Sequence, residues 1–276
     1  MDRQAVTVRG IRVAYGKFVV LEDVDLAVAE GEIVAVTGVN GAGKSTLLRC
    51  LAGLRRPAAG SLSVLGGPPR DDAGFWREVA LVTDLPTWYP GLTVREHLEL
   101  VRLTHQPLTG WCLPTAELIE VFGLPSRADA MPMNLSSGQR QRLSLAAALA
   151  RPSRLLLLDE PEQSLDAGFR QVLAGLLRTG YAAHGGTVVM ATHDFDFAEA
   201  AGARQVVLSD GQVAAAGQVL WLPSALPTAL PSASRRRGRS SASADVGTGT
   251  TGILSASAWC WRASCSGTSS TRRSAG

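Results

Sequence analysis

The sequence has no unbroken apolar run of the roughly 18 residues that a membrane-spanning helix requires. Its long apolar stretches, Leu145–Ala150 and Leu155–Leu158, stop far short. The opening residues Met1-Asp2-Arg3-Gln4 lack the apolar core of a secretory signal. Together these absences predict a chain that stays in the cytoplasm unless a partner holds it at a membrane. Cysteine is scarce, with four in 276 residues. Cys50 and Cys112 lie far apart, and Cys260 and Cys265 have no nearby histidine and no second pair. That excludes a disulfide framework and a zinc motif. Cys50 falls in an apolar helical pattern and reads as a small core residue.

A one-signed charge is also missing from the body of the chain. The net charge is +3, but residues 222–276 hold seven arginines and a single acid, Asp245. Setting these aside leaves 20 basic and 23 acidic residues, a body of about −3 with no nucleic-acid face. The same segment holds thirteen serines and no hydrophobic period. Residues 223–276 are predicted to be a low-complexity, disordered tail behind one domain over 1–222. There is no internal repeat.

What is present is an alternation of strand and helix signals. Val6, Val8, Ile11 and Val13 half-alternate, and Val19 to Val28 continue in the same way. Ile33–Val36, Val79–Val82, Leu155–Leu158, Thr187–Ala191 and Gln205–Leu208 are short apolar runs of the kind buried on both faces of a sheet. Helices are expected through Leu47–Ala52, after a Thr93 cap with Glu96 three residues on, and over much of 111–150. The pattern predicts an α/β fold with a largely parallel central sheet, an N-terminal antiparallel β part and an inserted helical subdomain over about 88–150.

Gly38-Val39-Asn40-Gly41-Ala42-Gly43-Lys44-Ser45 fills every fixed position of the phosphate-binding loop pattern, between a strand and a helix. Its glycines let backbone N–H groups close on phosphate oxygens, and the helix start adds partial positive charge. Lys44 should reach the β- and γ-phosphates, Ser45 should ligate Mg²⁺, and Thr46 should touch phosphate. The run Leu155–Leu158 then delivers Asp159 and Glu160 to a sheet edge. Asp159 is expected on the Mg²⁺ shell, and Glu160 on a water lined up with the γ-phosphate.

These motifs, with Leu135-Ser136-Ser137-Gly138-Gln139 in order between them, resemble the ATP-binding-cassette family over residues 5 to about 220. The resemblance implies a P-loop NTPase that hydrolyses MgATP. Ser136, Gly138 and Gln139 would cap the γ-phosphate held by a second such domain, in a homodimer or a pair with a related subunit. Taken alone, the same string also reads as an N-capped surface helix. Ser137 departs from the family's usual glycine. Ser164-Leu165-Asp166 matches the loop linking two sites, His193 the residue that touches the γ-phosphate, and Tyr15 the aromatic that stacks on adenine. Where the family usually carries a glutamine, this chain has Asp84, a hard oxygen ligand that could still meet Mg²⁺. The family likeness implies a separate membrane permease, which would hold this subunit on the inner face of the cell membrane. Trp88 and Tyr89 are expected either as anchors for that permease or as core packing. The run Leu92–Leu98 is nearer to exporter ATPases. The alternatives are a soluble cassette ATPase and a nucleotide sensor without transport.

Overall fold

In the computed structural model the described residues are 3–83, 88–106 and 110–213. Asp84 and the serine- and arginine-rich segment 223–276 lie outside them.

The chain opens with two long strands, β1 (Gln4–Tyr15) and β2 (Phe18–Ala29), paired antiparallel across Gly16. Val6, Val8, Ile11 and Val13 form the buried face of β1, each at most 2% exposed. The third strand of this sheet, β4 (Ala59–Val64), comes later in the chain, and the strand order is β2-β1-β4.

The central sheet is built from β3 (Ile33–Thr37), β5 (Val79–Val82), β6 (Leu155–Asp159), β7 (Thr187–Thr192) and β8 (Arg204–Ser209). These run parallel in the order β5-β6-β7-β3-β8, and the two-residue β9 (Gln212–Val213) adds an antiparallel edge. Every residue of β3, β6 and β7 is buried. Their continuous apolar runs follow from this, because both faces of the sheet are covered. Val34, Val36, Leu155, Leu157, Val189 and Ala191 face one core, shared with α1 (Lys44–Leu51) and the N-terminal sheet. Ala35, Leu156, Leu158, Val188 and Met190 face the other.

That second core takes in the helices lying between β5 and β6: α3 (Val94–Thr104), α4 (Thr115–Val121) and α5 (Ser137–Leu149). The expected start of α3 is realised as a capping box. Thr93 Oγ1 accepts from the Glu96 N–H at 3.3 Å, and the Glu96 carboxylate accepts from the Thr93 N–H at 2.7 Å. Four elements have weaker sequence signals. Strand β4 (Ala59–Val64) buries only Val64 fully, so it lacks an apolar run. Helices α2 (Ala73–Glu78), α6 (Ala167–Gly175) and α7 (Phe195–Ala200) are short. Each begins at an aspartate, Asp72, Asp166 or Asp194, whose carboxylate accepts an N–H three residues on.

His105, just past α3, shows how polar groups are settled in this core. It is 8% exposed. Its Nδ1 lies 2.7 Å from the Val101 carbonyl and its Nε2 lies 3.2 Å from the Arg151 guanidinium. The two contacts require a neutral ring, with Nδ1–H donating and Nε2 accepting. Burial, and then the Arg151 charge, push its pKa down to about 4. Below the ordinary histidine value near 6.5 the unfolded chain takes up a proton that the folded one refuses. Folding stability is therefore lost as pH falls from about 6.5 to about 4, by about 1–3 kcal/mol. Denaturant unfolding at pH 7.5 and 5 should show this loss in the native chain and a smaller one in His105→Gln.

Candidate functional site

Parallel strands present their C-terminal ends at one edge of a sheet, where such folds bind ligands. Here β6, β7 and β3 are neighbours, with Asp159 paired to Ala191 and Thr192 paired to Thr37. Three segments therefore leave the sheet side by side: the glycine loop after Thr37, Glu160 after Asp159, and His193 after Thr192.

The loop is shaped by close packing. Gly38 has φ 151°, and a Cβ there would lie 2.2 Å from the Leu208 carbonyl oxygen. Gly43 has φ 104°, with a Cβ 2.7 Å from Leu21 Cδ2 and 2.9 Å from the Val20 carbonyl oxygen. Asn40 and Gly41 are exposed at the crest, while Ala42 and Thr46 are buried. Helix α1 has no side-chain cap, and its first backbone bond runs from Leu47 N–H to the Gly43 carbonyl. The N–H groups of Lys44, Ser45 and Thr46 thus precede the helix's own acceptors and are free of its ladder. The Lys44 ammonium is buried and arches back over the loop, donating to the Gly38 carbonyl at 2.8 Å and the Val39 carbonyl at 3.2 Å. This is a concave donor surface for a polyphosphate.

Ser45 Oγ donates to Asp159 Oδ1 at 2.9 Å. Two hard oxygens from motifs 114 residues apart therefore meet beside the loop, a donor set suited to Mg²⁺. Glu160 follows in left-handed backbone, φ 47°, its N–H donating to the Ala191 carbonyl at 2.8 Å. Its carboxylate turns to His193, whose Nδ1 is 3.7 Å away.

Ser136 caps α5 in a second capping box. Its hydroxyl accepts from Gln139 N–H at 3.2 Å, and Gln139 Oε1 accepts from Ser136 N–H at 3.0 Å. Gly138 packs tightly against the loop after β6: a Cβ there would lie 2.6 Å from the Ser164 carbonyl oxygen. Ser164 is itself in left-handed backbone, φ 62°. Asp166 caps α6, and Arg142 of α5 pairs with it while stacking over Phe169 at 4.2 Å. The cap held by the Phe169 N–H, with Arg142 beside it, keeps the exposed Asp166 carboxyl below the usual range.

Tyr15 is 41% exposed, at the end of β1. The Arg55 guanidinium lies 4.3 Å over its ring and donates to the Ala14 carbonyl, a partner for Tyr15 that sequence reasoning missed. Of the two readings of Trp88 and Tyr89, the core one fits better. Both are half-buried, Trp88 meets the His97 ring edge-on at 5.6 Å, and Tyr89 N–H donates to His97 Nε2 at 2.8 Å. Asp84, expected near Mg²⁺, lies outside the described residues. Sequence reasoning also missed Glu162, a carboxylate only 2% exposed beside this site. An acid two positions beyond Glu160 was its one signal.

The ABC transporter family profile matches residues 21–163. The aliphatic sulfonates import ATP-binding protein SsuB 3 of Paraburkholderia xenovorans is 42% identical over 78% of this chain and 81% of its own length. The protein of the same function name from Mycobacterium sp. is 44% identical over 77% of this chain and 83% of its own. Among solved structures, an ATP-binding subunit of an ABC transporter superposes with TM-score 0.66 at 30% identity, covering 76% of this chain and 88% of that one. A dimeric ATP-binding cassette in a post-hydrolysis state with ADP and Pi gives TM-score 0.63 at 27% identity, covering 75% and 96%. The relatives are importers by name, so the exporter leaning drawn from Leu92–Leu98 is not supported.

The tight fit around Gly43 generates a prediction. Gly43→Ala forces a Cβ against Leu21 and the Val20 carbonyl in a backbone region that alanine resists. MgATP affinity, read by equilibrium dialysis, should fall about tenfold or more, which corresponds to about 1.4 kcal/mol. The far-UV spectrum should be retained.

Proposed function

The chain belongs to the ABC transporter family and is an ATP-binding, ATP-hydrolysing transporter subunit, and from that premise we propose that it powers uptake through a separate membrane permease. The observation that carries the site reading is the meeting of Ser45 and Asp159 at the rim of the glycine loop. The import direction and an alkanesulfonate-like cargo follow the names of relatives about 40% identical. Among the described residues no helix is long and apolar enough to cross a membrane, so the cargo path belongs to the permease. The subunit would then sit on the cytoplasmic face of the membrane through that contact.

In this reading the N–H groups of the loop and of the first turn of α1 bind the β- and γ-phosphate oxygens, with Lys44 turning its ammonium from the loop carbonyls to the phosphates. Tyr15 offers its ring to adenine. Ser45 and Asp159 would hold Mg²⁺, which when bound neutralises phosphate charge. Glu160 accepts a proton from water aligned with the γ-phosphorus. His193 contacts a γ-phosphate oxygen and keeps Glu160 aimed.

Glycine loop and Ser136–Gln139 end are two halves of different sites. The α5 N-terminus would offer oriented N–H groups to the γ-phosphate bound by a second cassette, and one solved relative is itself a dimer. Two head-to-tail subunits then share two nucleotides, and hydrolysis releases them from each other. The loop at Ser164, pressed on Gly138, joins the cap of one site to the acid of the other.

Turnover of MgATP by the purified chain should rise in specific activity with protein concentration, and Glu160→Gln should lower it by about 100-fold or more while MgATP still binds. A specific activity independent of concentration would remove the shared-site reading, and equal turnover in the mutant would remove the role of Glu160. In membrane vesicles carrying the complete transporter, ATP-driven accumulation of a labelled alkanesulfonate is expected. ATP-driven extrusion would overturn the import direction.

A further inference from the structure

Glu162 is the buried acid that the reaction scheme above leaves unused. Its side chain is 3% exposed, in the loop between β6 and α6. That loop is fastened on several sides. Gln163 N–H donates to the Glu160 carbonyl at 3.0 Å and Leu165 N–H to the Glu162 carbonyl at 3.2 Å. Gln141 of α5 donates to the Pro161 carbonyl at 3.3 Å, and Arg170 of α6 to the Leu165 carbonyl at 3.1 Å. The carboxyl of Glu162 consequently has a set direction, toward the end of β7.

Two contacts meet it there. The Thr192 hydroxyl donates its proton to Glu162 Oε1 and accepts from Asp194 N–H at 2.9 Å. His193 Nδ1 lies 3.9 Å from the same Oε1 and 3.7 Å from Glu160 Oε1. One imidazole nitrogen therefore faces two carboxyl oxygens from one loop, and each is an acceptor. That arrangement favours a hydrogen on Nδ1 and turns the Nε2 edge away from them. Asp194 closes the network as the cap of α7, with Arg170 on its carboxylate at 2.8 Å.

We propose that Glu162 is a positioning residue for ATP hydrolysis: with Thr192 it holds the His193 ring so that, with both ring nitrogens carrying hydrogen when nucleotide is bound, Nδ1–H faces Glu160 and Glu162 and Nε2–H donates to a γ-phosphate oxygen. The inference rests on the reading of His193 as the γ-phosphate contact. A buried carboxyl is costly to keep without full hydrogen bonding, and Glu162 Oε2 has no hydrogen-bond partner among the described residues. Burial raises its pKa above the usual carboxyl range. Protonated on Oε2 or ionised, the group keeps Oε1 as the acceptor that Thr192 and His193 face. A glutamine with its carbonyl in that place preserves the function, and a leucine removes it.

The test uses the full chain with Glu162→Gln, Glu162→Leu, His193→Ala and the Glu162→Leu/His193→Ala double variant. MgATP turnover is measured together with the ¹⁵N chemical shifts of the His193 ring. Glu162→Leu should lower kcat about tenfold with KM for ATP within about twofold, and Glu162→Gln should stay within about threefold of wild type. The double variant should turn over no more slowly than His193→Ala, because both changes act through one ring. In Glu162→Leu the ¹⁵N shifts should lose the Nδ1–H pattern. Thr192→Val cuts the same link without altering the buried acid and should lower kcat in the same direction, also when Glu162→Leu fails to fold. Multiplying losses in the double variant, an unchanged kcat in Glu162→Leu, or unmoved ring shifts would each overturn the proposal. A His193→Ala enzyme with wild-type turnover would overturn it together with the His193 reading, whereas a slow His193→Ala with an indifferent Glu162→Leu refutes Glu162 alone.

Discussion

The catalytic edge of this protein depends on the register of three neighbouring parallel strands. β3 leads to the glycine loop, β6 to Asp159 and Glu160, and β7 to His193. With Asp159 opposite Ala191 and Thr37 opposite Thr192, the three exits lie at one level. A one-residue slip in any pair would move side chains from one core into the other, and would also separate Ser45 from Asp159. The interior of the sheet resists such a slip because both faces bury branched aliphatic residues in two distinct clusters. The packing that stabilises the fold is thus the same packing that sets the distance between the Ser45 and Asp159 oxygens.

Control of the site passes through short loops at that edge. The loop after β6 touches α5 at Gly138, α6 through Arg170 and β7 through Thr192. In the proposed dimer it would carry the acid for one nucleotide and support the helix end that addresses another. Movement of this loop cannot be private to one site, since Ser164 sits against Gly138 with no space for a methyl group. A coupling between two ATP sites has a physical route here, made of one carbonyl, one glycine and the capped starts of two helices.

Most of the strands and the phosphate loop were legible from sequence because their signals are local. Ile33–Val36, Leu155–Leu158 and Thr187–Ala191 are apolar without interruption, and the loop pattern is contiguous. Thr93 and Ser136 announce their helices three residues ahead of Glu96 and Gln139. Strand β4 was not legible, because most of its residues are exposed or half-buried and it is held by β1 rather than by its own composition. Helices α6 and α7 were hidden for another reason: Asp166 and His193–Asp194 were read for chemistry, while Asp166 and Asp194 also serve as caps. Glu162 and Arg55 were out of reach, since burial of an acid and stacking on Tyr15 are tertiary facts.

Glu160 occupies left-handed backbone, φ 47°, where a side chain with a Cβ costs about 1–2 kcal/mol. Glycine or asparagine would relax that strain and remove the proposed proton acceptor in the same step. Directed evolution for heat resistance alone would therefore drift toward inactive proteins at this position. A robust screen has to select for turnover and thermal tolerance together, because here the most comfortable residue for the chain is not the one its chemistry needs.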